Sequence, residues 1–497
     1  MVTENAEINI ADLEQVNVDE KITSGLQLVT GDGEKISLPK ALIEAFTASV
    51  RGKLVAPNDT NYDEYRKVHN AMINKRPGLI VRCAGVADVI VAVNFARAHR
   101  LLLAIRGAGH SVAGSSVCEG GIVIDLSDMK GIHIDPVARV MRVEPGVTWG
   151  DVSHELQAFG LAATGGFVST TGVSGLTLGG GLGWLVRKHG LALDNLLSVD
   201  IVTSDGKFIT AGLDQNQELF WGIRGGGGNF GIITSFKFKV HPVDKVLGGL
   251  VLHPIANGKK ALQFWREFNT NVPEEMTGGA LLFNAPAELP LPEVLHQDAI
   301  VAMGGVYAGE LNTGENVLRP LRSYGPPVAD IFQPMPYSAA QTMADFLWPR
   351  GVYNYWKSSF LRELSDVAID TILRFFSNTP SQKTVVVLEH LGDSAVSRVA
   401  DEETSFGHRN YPVNFLVTSI WTHPDESEAN IRWTREFWGA MKPFLADAVY
   451  LNYIGDEGEE RIQAAYGMAK YNRLAALKKK YDPGNLFCLN QNIRPAV

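Results

Sequence analysis

The chain holds 50 glycines in 497 residues, and they are unevenly spread. The densest runs are GGFVSTTGVSGLTLGGGLGW (165–184) and RGGGGNFG (224–231). Without a Cβ, glycine permits positive φ and lets backbone come close to a ligand. Neither run has the period of collagen or the texture of a flexible linker, and both lie between strand-like and helix-like segments. The chain must therefore fold around several glycine loops held inside one α/β unit.

Known glycine motifs do not explain these loops. Gly226, Gly228 and Gly231 satisfy G-x-G-x-x-G, but four glycines in a row match that pattern easily. The dinucleotide fingerprint also needs a following helix and an acidic residue about 20 positions on. Here IITSFKFKV follows, which alternates like a strand. G-x-x-x-x-G-K-[ST] is absent, so a P-loop is out, and without H-E-x-x-H or G-x-S-x-G a zincin or an α/β-hydrolase gets no support. With no phosphate-binding lysine, free backbone N–H groups are left to hold a pyrophosphate. Several such loops suit a large, flat, charged cofactor.

Around the loops, GLIVRC (78–83), VADVIVAVNFARAHR (86–100) and LLLAIRG read as strand, helix, strand. GIVIDLS, GIHIDPVARVMRVEPG and LLSVDIVTSDGKFIT add strands with turns at Gly, Asp-Pro and Asp-Gly. LPKALIEAFTASVRGK has helical spacing. Residues 1 to about 35 are polar and read as a loose arm. After about residue 245 glycine thins. Helix-like segments (GKKALQFWREFN, VAIDTILRFFSN, ESEANIRWTREFWGAMKPF) then alternate with strands (KTVVVLEHL, PVNFLVTSIW). IQAAYGMAKYNRLAALKKKYDPGNLF reads as one helix stopped by Asp-Pro-Gly. So long a chain needs more than one core. Its expected divisions are an arm (1–40), a first domain (41–245), a second α+β domain (246–440) and a return to the first (441–497).

Composition removes other classes. Lys plus Arg is 45 against 54 for Asp plus Glu, a net charge of -9, so no basic face for nucleic acid is expected. Cys83, Cys118 and Cys488 are too scattered for a zinc cluster or a disulfide framework. No metal is expected. The acidic N-terminus lacks a long apolar stretch, so no signal peptide and a cytoplasmic location are expected. No apolar run nears ~20 residues, so no membrane span is expected. The oligomeric state is open.

RGAGHSVAG (106–114) makes the chain recognisable. Together with STTGVSGLTLGGGLGWLVRKHGLALDNLLSVDIVTSDG, ELFWGIRGGGGNFGIIT, YLNY and YDPGNLFCLNQNI, it resembles the berberine-bridge-enzyme-like flavin oxidases of the vanillyl-alcohol-oxidase superfamily. The likeness runs from about residue 70 to the C-terminus and looks microbial in type. It implies an α+β, two-domain flavoprotein. A bipartite FAD-binding domain would be built from both ends, with an inserted substrate domain whose antiparallel sheet is covered by helices.

The resemblance also implies site residues. His110 matches the histidine bonded covalently to the 8α-methyl of FAD. Arg106, Gly107, Ala108, Gly109, Ser111 and Gly114 surround it. Thr171, Gly172, Gly175, Gly179, Gly180, Gly181, Gly183, Gly231, Ile232, Asn490 and Asn492 complete the expected cofactor set. Relatives with a second, cysteinyl link carry it eleven residues before the glycine triplet, where this chain has Val168. A single link through His110 is therefore expected.

Tyr453 matches a tyrosine that serves as base in relatives, and a nearby charge would have to lower its pKa of about 10. Asn452 and Asn414 join it as expected catalytic positions. In a regular strand Asn452 and Tyr453 would face opposite ways. Relatives often charge the strand PVNFLVTSIW, but Asn414 and Leu416 are neutral. Tyr355, Trp356 and Lys357 are either substrate contacts or an aromatic loop. Thr171 stands at the position that gates O2. The expected reaction is hydride removal from a CH–OH group of a sugar or secondary metabolite, with O2 as acceptor and H2O2 as product. C–N oxidation, as in hydroxynicotine oxidases, oxidative cyclisation, and flavin binding without turnover are the alternatives.

Overall fold

The computed structural model describes residues 25–286 and 297–497. Most of the arm lies outside them. Its end does not: Leu26–Val29 and Lys35–Leu38 pair as an antiparallel hairpin, not a loose segment. Leu28 and Leu38 explain this, because both are buried in the first core.

Two sheets form the first half of the α+β fold. Leu79–Arg82, Ile122–Asp125 and Leu103–Arg106 run parallel, with Lys53–Val55 antiparallel at the edge. The crossover helix Val86–Ala98 buries Val89, Ala92, Val93 and Ala96 beneath this sheet. The second sheet is antiparallel, ordered Phe208–Gly212, Leu196–Val202, Ile232–Lys239, Val140–Val143, Ile132–Asp135. IITSFKFKV is thus a strand, as its alternation predicts.

The second half is an eight-stranded antiparallel sheet built from Lys245 to Trp421. Its side chains alternate between two faces. Val386, Leu388, Phe415 and Val417 point toward the helices Gly258–Phe268, Asp366–Phe376 and Ser427–Met441 and join their core. Val387, Glu389 and Leu416 point the other way, toward the first half.

The C-terminal segment returns to the first half. Tyr466, Leu474, Leu477 and Ile493 share a core with Phe220, Trp221 and Phe230. Each buried leucine of this kind contributes about 1.5–3 kcal/mol. The tail is not one helix: Glu459–Tyr466 and Met468–Tyr481 are separated at Gly467, whose φ of +73° is left-handed. YLNY is not a strand either, since Leu451–Tyr453 forms a 3-10 turn. VYNYWKSS is the strand Tyr353–Leu361, not a loop. Among the described residues, no helix is long and apolar enough to cross a membrane.

Candidate cofactor and active site

A cavity of about 560 Å³ lies between the two halves. The glycine loops wall one end, and the face of the large sheet turned away from those three long helices walls the other. No lysine or arginine lines it among the described residues.

The loop after Leu103–Arg106 supplies Gly107, Ala108, Gly109, His110 and Ser111 to the wall. Arg106 does not reach it. It pairs with Asp125 on the neighbouring strand and donates to Tyr65 O, which anchors the loop from below. His110 Nε2 lies 3.0 Å from Thr170 Oγ1, and its ring is 4.1 Å from that of His69. Burial, and then the neighbouring His69, push its pKa down to about 3. His110 is therefore a neutral imidazole with Nδ1 left free by that hydrogen bond.

Thr171, Gly172 and Gly175, at the start of Val173–Leu178, line the cavity, as do Gly231, Ile232, Asn490 and Val168. Gly114, Gly179, Gly180, Gly181, Gly183 and Asn492 are off its wall. A Cβ at Gly179 would sit 2.1 Å from Asn452 Oδ1, and one at Gly183 would sit 2.0 Å from Gly165 O. The triplet makes room for other parts of the protein. Tyr450 is its main partner, accepting hydrogen bonds from Gly181 N (2.9 Å) and Leu182 N (3.2 Å).

At the opposite wall the Leu451–Tyr453 turn removes the two-face conflict. Asn452 Nδ2 donates to Leu176 O (2.9 Å) and Tyr450 Oη (2.8 Å), so this amide braces the turn. Tyr453 Oη donates instead to Glu389 Oε1 at 2.8 Å. Asn414 Nδ2 holds Glu389 Oε2 at 2.7 Å, and Ser358 Oγ donates to Asn414 Oδ1 at 3.0 Å. Asn414 thus acts on Glu389 and is not itself on the wall. Burial raises the Glu389 carboxyl to about 7, against the opposing pull of these two donors. Burial, and then the charge of Glu389, push the Tyr453 phenol well above its usual value.

Glu389 is the residue that sequence reasoning missed. Its one signal was a carboxylate in VVVLEH (385–390), a strand buried at every position. Of the VYNYWKSS residues, Asn354 and Trp356 line the cavity. Lys357 pairs with Glu457 on the other face (2.6 Å), and Tyr355 accepts from Arg435 there.

Known proteins match this arrangement at both ends. Residues 77–212 fit the model of an FAD binding domain, and residues 449–494 fit that described as berberine and berberine like. An FAD-linked oxidoreductase of Dictyostelium discoideum is 32% identical, covering 91% of this chain and 97% of the relative. The chain belongs to the berberine-bridge-enzyme-like FAD-linked oxidoreductases. Another relative, the (R)-6-hydroxynicotine oxidase of Paenarthrobacter nicotinovorans, is 29% identical over 90% of this chain and 97% of its own length. The crystal structure of 6-hydroxy-D-nicotine oxidase from Arthrobacter nicotinovorans superposes with a TM-score of 0.82 at 27% identity, covering 90% and 99% of the two chains.

The residues of this berberine-bridge-enzyme-like chain fit FAD. Gly175 lines the cavity, yet a Cβ there would meet no protein atom within 4 Å. The space beside it is kept for something other than protein. Asn490 Oδ1 is buried without a protein partner, while its Nδ2 is held by Gly228 O and Phe487 O. The Cβ of Gly175→Val would project into that space. We expect purified Gly175→Val to carry much less FAD at unchanged thermal unfolding of the apoprotein. Full occupancy, read from the 450 nm absorbance per chain, would show that the cradle lies elsewhere.

Proposed function

We propose that the chain is an FAD-linked oxidase that takes hydride from a substrate C–H bond next to an O–H or N–H group, with O2 as final acceptor and H2O2 as product. The observation that carries this reading is the Tyr453–Glu389 hydrogen bond at the cavity wall. FAD, when bound, accepts the hydride and hands the electrons to O2.

The protein's own work is to move one proton. Tyr453 already donates its proton to Glu389, so its oxygen keeps a lone pair for the substrate's O–H or N–H. As the substrate proton passes to Tyr453, the tyrosine's own proton passes to Glu389. No phenolate need form, which agrees with a phenol pushed up rather than down. Glu389 is then the base and Tyr453 its relay. Near pH 7 a carboxyl with a pKa of about 7 matches that task. Asn414 keeps the carboxylate in register, and Asn452 and Tyr450 hold the turn that carries Tyr453.

His110 is proposed to carry FAD covalently, and Val168 supplies no second link. Its neutral ring and free Nδ1 support this. Arg106, Gly114, Gly179, Gly180, Gly181, Gly183 and Asn492 would serve FAD indirectly, by shaping the loops that touch it.

The CH–OH reading and the C–N reading use the same relay. One feature favours the second: the carboxylate at the reacting end has no cationic partner in any ion pair among the described residues. Acid precipitation of the purified protein tests the cofactor part. Flavin should stay in the wild-type pellet and leave with the supernatant in His110→Ala. Peroxide release on adding substrate tests the oxidase part, and flavin reduction without peroxide would make the chain a dehydrogenase.

A further inference from the structure

We infer that Asp345 is a positioning residue for His110, acting across the seam between the two halves through the loop that carries Thr170. The positioning stands on the geometry alone, and only its consequence for FAD rests on the proposed histidyl link.

Two groups bracket the His110 ring. Thr170 Oγ1 lies 3.0 Å from its Nε2, and the His69 ring lies 4.1 Å away, centroid to centroid, tilted by 32°. Neither group is held by the first half alone. Thr170 sits in the loop 168–171. From the first half, Trp149 N donates to Thr171 O (3.0 Å) and Gly150 N donates to Ser169 O (2.8 Å). From the second half, Asp345 takes both donors of Ser169. Ser169 N donates to Oδ1 at 2.7 Å and Ser169 Oγ donates to Oδ2 at 2.5 Å.

The other bracket leads to the same place. His69 Nε2 donates to Trp348 O at 3.1 Å, because a carbonyl can only accept. Asp345–Leu347 is a short 3-10 turn, and Trp348 N closes it on Asp345 O at 3.3 Å. One turn of the second half therefore holds both groups that bracket His110. The same turn puts Phe346, Leu347 and Trp348 on the cavity wall. The His110 ring and that wall are fastened together at Asp345.

Charge makes the fastening strong. Hydrogen bonds to a carboxylate are about twice as strong as neutral ones, and two together also fix direction. Asp345 spends neither oxygen on a cation, since it belongs to no ion pair among the described residues. In the proposed attachment a bond forms between a His110 ring nitrogen and the 8α carbon of FAD. A C–H bond at that carbon and an N–H bond of the ring break, and the two electrons and two protons pass to O2 as H2O2. A reacting group misplaced by about 1 Å slows such a step by about 10²-fold. Asp345 touches neither reacting atom, so its part is placement.

The test uses the full chain from flavin-limited cells. Amide hydrogen exchange is read first, without FAD, on the segments 106–111 and 168–171. FAD is then added in air, and acid precipitation at intervals gives the rate at which flavin becomes fixed to the protein. We expect Asp345→Ala to speed exchange in both segments and to slow attachment by at least about tenfold. Asp345→Asn, which still offers Ser169 N an acceptor, should restore most of the wild-type rate. Attachment at the wild-type rate in Asp345→Ala overturns the inference. So does exchange that rises at 168–171 alone, which would leave Asp345 anchoring its own loop and nothing more. If Asp345→Ala does not fold, Ser169→Ala decides, because it keeps the backbone bond: slower attachment supports the inference, and an unchanged rate overturns it. Flavin that stays acid-soluble in the wild type removes the histidyl link, and the exchange pattern then decides the positioning by itself.

Discussion

Glu389→Gln lowers kcat/KM by about 10²–10⁴-fold, the range for loss of a positioned general base, while FAD stays bound. Glutamine keeps the size of the side chain and can still accept from Tyr453. It cannot take the proton that Tyr453 must shed. The effect therefore falls on the step that reduces the flavin and spares the one that consumes O2. The wild-type pH profile has a matching sign. A carboxyl raised to about 7 is protonated, and idle as a base, below that pH. Wild-type kcat/KM then rises with pH through about 7 and levels off, and the variant lacks that rising limb. Stopped-flow reduction under anaerobic conditions between about pH 5 and 9 reads both. An unchanged rate in Glu389→Gln would remove the carboxylate from the proton path and return the role of base to Tyr453.

The sequence announced the scaffold more clearly than the chemistry, for a physical reason. Strands and helices follow from spacing along the chain, so VADVIVAVNFARAHR and IITSFKFKV read correctly. The proposed base depends on pairing across the chain. Glu389 meets Asn414 only because their strands pair in that register, and it meets Tyr453 only because the tail returns to the same wall. Neither contact has a local signature. Asn414 did point to the right place, one strand away from the charge it holds.

The turns failed for a different reason. YLNY looks like a strand, but Tyr450 is drawn into the glycine triplet and Asn452 bonds back to its hydroxyl. Those contacts bend the segment. Glycine itself is ambiguous in sequence, since a missing Cβ can make room for a cofactor or for another part of the protein. Gly175 opens onto empty cavity space, and Gly179 and Gly183 are the second case.

Lys478→Met costs the fold about 3–5 kcal/mol, the penalty for breaking a buried ion pair from one side. Lys478 and Asp482 are both fully buried and lie 2.7 Å apart. The ammonium also donates to Asn229 O (2.8 Å) and Phe487 O (3.0 Å). Asp482 accepts from Leu486 N and Phe487 N, each at 2.9 Å. The pair thus ties the last helix to the RGGGGNFG loop and to the segment that sets Asn490 against the cavity. Methionine keeps the stem but leaves Asp482 a buried charge without its cation. Lys478→Met/Asp482→Asn removes that charge as well and should recover part of the loss, because deleting both partners is milder than deleting one. Guanidinium unfolding of both variants beside wild type measures this, and FAD occupancy should fall with stability in the single variant. A cost within about 0.5 kcal/mol, the level of an ordinary surface change, would mean that the tail docks through its apolar face alone. In that case the Asp-Pro-Gly stop would merely end the helix, and the cofactor wall at Asn490 would stand without the ion pair.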